Sequence, residues 1–355
     1  MTTPNAQRDY SIVGPESKRA GEKGLVSASW YACPIPRPRL KELMRRTDGS
    51  AIRDTLLWFA LIIGSGAAAY WTWGTWWCVP AFFVYGTLYG STSDSRWHEC
   101  GHRTAFKTVW MNDAVYYIAS FMVLREATAW RWSHARHHTD TIIVGRDLEI
   151  AVPRPPNIPA LCLKLFALPS GLRELAKIAR HCLGRLNAME KDYIPAPEQH
   201  KVVWEARVYV AIYAATLTCA IVTQSILPLM FIGLPSFYGA WLMVVFGLTQ
   251  HAGLAEDVLD HRLNCRTVYM NPVFRYLYWN MNYHVEHHMF PLVPYHALPA
   301  LHETLKSDMP PAYRGLWDAY CEIIPTLLRQ AKDPSYFVKR PLPLAPHAAL
   351  SGVQA

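Results

Sequence analysis

The sequence predicts an all-α integral membrane protein with about four transmembrane helices in two hairpins and a helical cytosolic cap. Three observations carry that prediction. Four uncharged apolar stretches come in two closely spaced pairs. Basic residues collect beside and between the pairs, never in the turns inside them. Eight of the fifteen histidines fall in three short groups at helical spacing, all on the basic side. Composition agrees: 51% of the 355 residues are hydrophobic and 13% aromatic, and only 17% are charged, against roughly 25% in an average soluble domain. A mean hydropathy of only +0.02 fits a few spans diluted by long polar loops. The net charge of +8 would suit a nucleic-acid partner, but no nucleic-acid motif interleaves the basic residues, so none is expected.

Residues 1–49 read as a mobile polar N-terminal segment without an apolar run, so no cleavable signal peptide is expected. Its end is basic, with Arg37, Arg39, Lys41, Arg45, Arg46 and then Arg53 before the first apolar stretch. The positive-inside tendency keeps that end in the cytosol. Spans are expected over about 55–73 and 75–93, each near the roughly 20 residues needed to cross the hydrocarbon core. Trp71, Trp73, Trp76 and Trp77 between them form an interfacial aromatic cluster. A third apolar run, 111–124, is too short to cross and is expected to be half-buried or re-entrant.

Sixteen Lys and Arg between Arg96 and Arg207 hold the following section in the cytosol. Within it Leu172, Leu175, Ile178, Ala179, Leu183 and Leu186 trace a helical stripe. That pattern suits a basic amphipathic helix on the membrane surface or an ordinary packed helix equally. Spans over about 208–232 and 234–250 form the second hairpin, joined at Gly233-Leu234-Pro235. The membrane domain thus covers 50–310, and 311–355 reads as a C-terminal helix and a disordered, Pro- and Ala-rich tail. Eight cysteines are scattered without a CxxC pair, so reduced thiols are expected.

The histidines carry the chemistry. His284, His287 and His288 stand at i, i+3 and i+4, on one helix face, so their ring nitrogens can converge. His134, His137 and His138 repeat the spelling, and His98 and His102 form a helical pair. His251, at the cytosolic exit of the last span, is a ninth candidate. Nine imidazoles exceed the three or four that one zinc takes, so two metals fit better. Imidazole suits iron, zinc, copper and nickel alike; the membrane-embedded aromatic scaffold and the lack of other cofactor motifs argue for iron. His98-Glu99-Cys100-Gly101-His102 also satisfies H-E-x-x-H, the zinc-protease pattern, but a protease would leave the two HxxHH groups without a role. A non-catalytic metal-binding or lipid-sensing membrane protein is the alternative from another class. A ligating imidazole usually gives its other N–H to a carboxylate or carbonyl. Glu99, Asp94, Asp140, Asp147, Asn282 and Glu286 are within sequence reach, with Asp94 and Asn282 the preferred pair. Trp130, Trp132, Tyr283 and Trp279 flank the groups and are candidates to wall a substrate tunnel.

HxxxH, HxxHH and HxxHH in this order, with spanning hairpins before the first and between the second and third, resemble the membrane fatty acid desaturase and hydroxylase superfamily over roughly residues 50–310. The text Gln250-His251-Ala252-Gly253-Leu254, Asn271-Pro272-Val273-Phe274 and Asn280 to Pro291 looks most like the bacterial branch that includes rhizobitoxine-type desaturases. Many members carry HxxxxH as the first box, whereas this chain has HxxxH. The resemblance implies a non-haem di-iron, O2-dependent enzyme. It would hold two Fe ions by His98, His102, His134, His137, His138, His251, His284, His287 and His288. Desaturation of a lipid-linked acyl chain or a related small aliphatic substrate is the expected reaction, with hydroxylation by a monooxygenase on the same scaffold as the alternative. Gly64-Ser65-Gly66 lies in an apolar span and lacks the dinucleotide-binding context, and no cysteine set for an iron–sulfur centre is present. Electrons are therefore expected from a ferredoxin- or cytochrome-like donor with its reductase, drawn to the basic face. The implied location is a bacterial inner membrane, with the histidine boxes and both termini cytosolic.

Overall fold

A computed structural model describes residues 8–343 of the chain, and the described residues are helical throughout, without a strand. Two isolated bridges, Thr267 with Tyr283 and Val268 with Tyr313, are the exceptions to helix and loop. By length and composition two helices could each cross a membrane alone, Gly49–Trp71 and Ala196–Val222. The first is the uncharged run expected from the sequence. It displays Leu56, Leu57, Leu61 and Ile63 outward, and the chain turns at Gly74, where φ is +86°. Trp76 at this tip is 89% exposed, a costly position in water and an ordinary one at a lipid headgroup.

The second apolar stretch is a single rod that runs straight into the first histidine group: Cys78–Gly86, a π turn at Thr87–Ser91, then Thr92–Gly101. The carbonyl of Leu88 in the π turn accepts from Trp58 Nε1 at 3.0 Å and from the Thr92 hydroxyl at 2.5 Å, and the first of these pins the rod to the Gly49–Trp71 helix. Past the turn, Arg96 is fully buried. Its guanidinium gives N–H bonds to the carbonyls of Tyr276 and Leu277 and lies among the rings of Trp58, Tyr276 and Trp279. One charged side chain thereby joins the rod to the end of the helix Pro272–Leu277, ahead of the last histidine group.

The run 111–124 forms the helix Val109–Met122, half-buried with Trp110, Tyr117 and Ile118 outward. The amphipathic stripe forms Ser170–Cys182 and packs rather than floats: Ile178 is buried against Ala206 and Tyr209. The helix found where the sequence predicts a third span over 208–232 is Gln199–Val222, which both begins and ends earlier than hydropathy suggests. Its charged first turns are useful, because Glu205 accepts from the backbone N–H of Thr128 at 2.8 Å and the Thr128 hydroxyl at 2.6 Å. That carboxylate caps the helix Ala127–Thr139, where a negative charge is favoured.

The expected fourth span over 234–250 is broken. In its place stand Pro235–Tyr238 and Trp241–His251, while the separate short helix Leu227–Phe231 occupies the end of the expected third span, 208–232. Hydropathy cannot register the cause, which is contact: a Cβ on Gly239 would lie 1.8 Å from the Gly86 carbonyl oxygen, and one on Gly90 would lie 2.4 Å from that of Pro235. Backbone meets backbone there, and Met243 N–H bonds Ser91 Oγ at 2.9 Å. The N-terminal segment, expected to be loose, is tied down over its described part. Arg8 pairs with Glu256 at 2.8 Å and Asp257 at 2.6 Å, Tyr10 donates to Glu256 at 2.8 Å, and a short helix, Pro15–Glu22, follows. The C-terminal helix Leu316–Gln330 packs on Trp241–His251, with Tyr320 donating to the Val245 carbonyl at 2.7 Å. The tail beyond 343 lies outside the described residues.

The Gly239 contact yields a direct test. Gly239→Ala should destabilise the protein by roughly 3 kcal/mol or more, since neither backbone can retreat. Gly64→Ala, where an added Cβ meets nothing within 4 Å, should be neutral or slightly stabilising. Thermal unfolding in detergent, read by circular dichroism, separates the two.

Candidate metal centre

All nine singled-out histidines come together, from four separate parts of the chain, in two adjoining groups. His98, His102, His134, His138 and His287 form one, and His137, His251, His284 and His288 the other; within each group the ligand atoms lie within 4.8 Å of one another. The two histidine triplets each divide between the groups, as the i, i+3, i+4 spacing allows. His134 and His138 turn one way and His137 the other; His287 faces the first group while His284 and His288 face the second.

The donor atoms fit a metal. Nε2 of His134 lies 3.1 Å from that of His102 and 3.2 Å from that of His138, and His287 Nε2 is 3.2 Å from His138 Nε2. In the second group His284 Nε2 is 3.0 Å from both His251 Nε2 and His288 Nε2. Nitrogens held at about 2.1 Å from one ion stand roughly 3.0 to 3.4 Å apart, depending on whether the corners are octahedral or tetrahedral. The His98 Nε2 is buried with no hydrogen-bond partner, which is costly unless something else takes its lone pair.

Electrostatics favour the neutral, ligating form in seven of the rings. Burial, then the neighbouring imidazoles, push His98, His102, His138, His284 and His288 well below the ordinary histidine value. His251 and His287 move the same way, again chiefly through burial. His137 goes upward: burial opposes its charge, but the Asp147 carboxylate at 2.8 Å more than offsets this.

Asp147, one of the acids within sequence reach, thus meets a histidine, and it also takes the Ile142 N–H at 2.8 Å. The others do not. Asp94 is engaged by Arg125, which lies over the rings of Trp97 and Trp130 at 4.0 and 4.7 Å. Asn282 gives its amide to the Val268 carbonyl at 2.8 Å and fixes the loop ahead of the His284–Met289 helix. Asp140 pairs with Arg146, and Glu286 takes Thr267 and His302. Glu99 accepts from Thr104 at 2.7 Å and the Tyr295 N–H at 3.0 Å, with burial lifting its carboxyl to about 7. The H-E-x-x-H reading fails on this point, because its glutamate holds two loops instead of facing the histidines.

Three supports were not legible. Glu149 takes His134 Nδ1 at 3.0 Å and the Ser133 hydroxyl at 2.9 Å; burial would raise its carboxyl, but His134 dominates and holds it at about 2. Thr141 meets His288 Nδ1 at 3.2 Å, and the Asn264 carbonyl takes His251 Nδ1 at 2.8 Å. His261, buried and stacked on Trp30 at 4.3 Å, lies with Cys265 beside His288. None of these carried a sequence signal, being single residues without helical repetition.

A cavity of about 630 Å³ opens on both groups, walled in part by His98, His134, His137, His251 and His284. Of the four aromatic candidates only Trp130 lines it; Trp132 faces outward, and Trp279 stacks on Tyr295 at 4.3 Å inside the core.

A helical scaffold with two helices apolar enough for a membrane, carrying paired all-imidazole groups beneath one cavity, defines a class of polyhistidine membrane proteins built to bind metal. Comparison with known proteins narrows the class. The profile of the fatty acid desaturase family matches residues 74–320, and the chain belongs to that family; it is an oxidoreductase. Its relatives include the endoplasmic reticulum omega-6 fatty acid desaturase isozyme 1 of Glycine max, 27% identical over 277 residues, covering 67% of this chain and 70% of that one. The acyl-lipid (9+3)-(E)-desaturase of Dimorphotheca sinuata is 24% identical over 276 residues, 67% of this chain and 72% of its own length. The sn-1 oleoyl-lipid 12-desaturase of Synechocystis is 31% identical over a shorter 114 residues, 30% and 32% of the two chains.

Asp147 and Asp94 offer a paired test of the site. Asp147→Asn should weaken metal retention by roughly 10- to 100-fold, whereas Asp94→Asn, which loses a contact to Arg125 alone, should leave it unchanged. Competition with a chelator, followed by metal content per chain, reads both.

Proposed function

We propose that the protein is an O2-dependent, non-haem di-iron desaturase acting on a lipid-linked acyl chain or a related small aliphatic substrate. The observation that supports this most is the opening of both imidazole groups onto one cavity. The five-histidine group and His137, His251, His284 and His288 would each hold one iron. Bound there, an iron pair supplies O2-dependent removal of hydrogen from an unactivated C–H bond. For each double bond formed, one O2, two electrons and two protons are consumed and two waters leave. The chain has no electron-carrying motif of its own, so a ferredoxin- or cytochrome-like donor with its reductase would supply the electrons.

The protein's own residues do the positioning. Asp147, Glu149 and the Asn264 carbonyl fix the orientation of His137, His134 and His251, so the donor set is preorganised. The cavity wall presents Leu161, Val244 and Leu248, an apolar face suited to a hydrocarbon chain that must lie still while one carbon is addressed. Exclusion of water by such a wall prevents the loss of oxidising equivalents to solvent.

Four crossings would place the cap on the cytosolic side of a bacterial inner membrane, in line with the basic face. The Gly49–Trp71 helix, the rod over 78–93, the Gln199–Val222 helix and the broken run over 227–250 would make them, with the clustered histidines beyond their ends.

Purified protein should contain about two irons per chain, and His138→Ala or His287→Ala should abolish both metal and turnover. Mass spectrometry of the product should show loss of two hydrogens. A product that gains oxygen, or stoichiometric zinc with full activity, would overturn the proposal.

A further inference from the structure

The charged lining of the cavity is unevenly satisfied. Apart from the histidines it comprises Asp94, Arg125, Glu149, Arg154, Lys164, Arg173 and Glu256. Arg125 is paired with Asp94, Glu149 with His134, and Arg154 with Glu256 at 3.3 Å. Lys164 and Arg173 are left over: among the described residues neither forms an ion pair with a carboxylate. Lys164 gives one N–H to the Ala151 carbonyl at 2.7 Å, and Arg173 is exposed.

The two cations are neighbours. Lys164 ends the helix Ile158–Lys164, and Arg173 sits in the first turn of Ser170–Cys182. Burial, and then the charge of Arg173, lower the pKa of the Lys164 ammonium. Leu163, Phe166 and Leu172 beside them are each more than half exposed. Like charges side by side, without a counter-ion on the protein, are unfavourable, and an anion supplied from outside relieves that repulsion. The cavity lining thus combines two cationic groups that have no carboxylate partner with the apolar Leu161, Val244 and Leu248, and the same cavity reaches the imidazole groups. Such a lining matches a molecule with an acidic head and a hydrocarbon tail.

We propose that Lys164 and Arg173 form the head-group site of the cavity, holding the anionic end of an acyl substrate, a carboxylate or a phosphate ester, while its tail runs toward the histidines. This rests on the desaturase reading and deepens it, because it selects acidic amphiphiles over neutral ones.

Binding can be read without turnover. The metal-loaded full-length protein, in a non-ionic detergent, is titrated with three fluorescent polyene probes: the free fatty acid, its methyl ester, and a phosphatidic acid carrying the same chain. The wild type should bind at least one acidic probe roughly tenfold or more tightly than the ester, the scale of a charge-assisted hydrogen bond. Lys164→Gln with Arg173→Gln should erase that preference, leaving ester affinity and metal content unchanged. Lys164→Arg with Arg173→Lys, which keeps both charges, should retain it. Preference for the fatty acid alone identifies a carboxylate site, and preference for the phosphatidic acid alone identifies a phosphate site. Equal affinity for all three probes in the wild type, a preference that survives in the double glutamine variant, or an equal loss for every probe would overturn the proposal. Absence of desaturation with the preference intact would count against the desaturase reading and not against the head-group site.

Discussion

Crowding of nine imidazoles is the constraint on which the rest of this structure depends. Nitrogen lone pairs 3.0–3.2 Å apart repel unless a proton or an ion sits between them. Burial works against protons, since a charged imidazole away from water is expensive. Neutral rings can share an N–H in pairs, but a cation held by several neutral nitrogens at once would relieve groups of four and five more fully. The fold forces polar rings into a place where ligation would satisfy them together.

The forcing is done by short, specific contacts between distant segments. Arg96 joins the first histidine helix to the end of Pro272–Leu277, ahead of the third, and the Glu205 carboxylate caps the second. Glu126 at the start of that second helix is bonded to the buried His181, which in turn meets Glu190 at 3.0 Å. Buried charges are stable only where they are paired in this way, and removing one partner costs far more than the pair contributes. The second histidine helix is consequently held at its N-terminal end, more than a turn ahead of His134.

The sequence disclosed the ligand set because helical spacing is a local property. The i, i+3, i+4 pattern put His134, His137 and His138 on one turn, and the same pattern even allowed them to serve two groups. Hydropathy disclosed the Gly49–Trp71 helix for the same reason. What it missed was set by contact between distant segments. The break in the last apolar run follows from Gly239 lying against Gly86, which no window of apolar residues can reveal. Asp94 looked well placed four residues before His98, but Arg125 takes its carboxylate. Glu149 reaches His134 only because the chain doubles back after residue 140, and Lys164 and Arg173 became noticeable only once every other charge lining the cavity had been matched to a partner.

The family assignment and the geometry bear on the same centre from independent directions, and the location of the metal is where they meet. Anomalous diffraction at the iron absorption edge, on crystals of protein purified with its native metal, tests this most directly. Two peaks are predicted, one enclosed by His98, His102, His134, His138 and His287 and the other by His137, His251, His284 and His288. A single peak, a peak outside these rings, or a signal at the zinc edge alone would contradict the account.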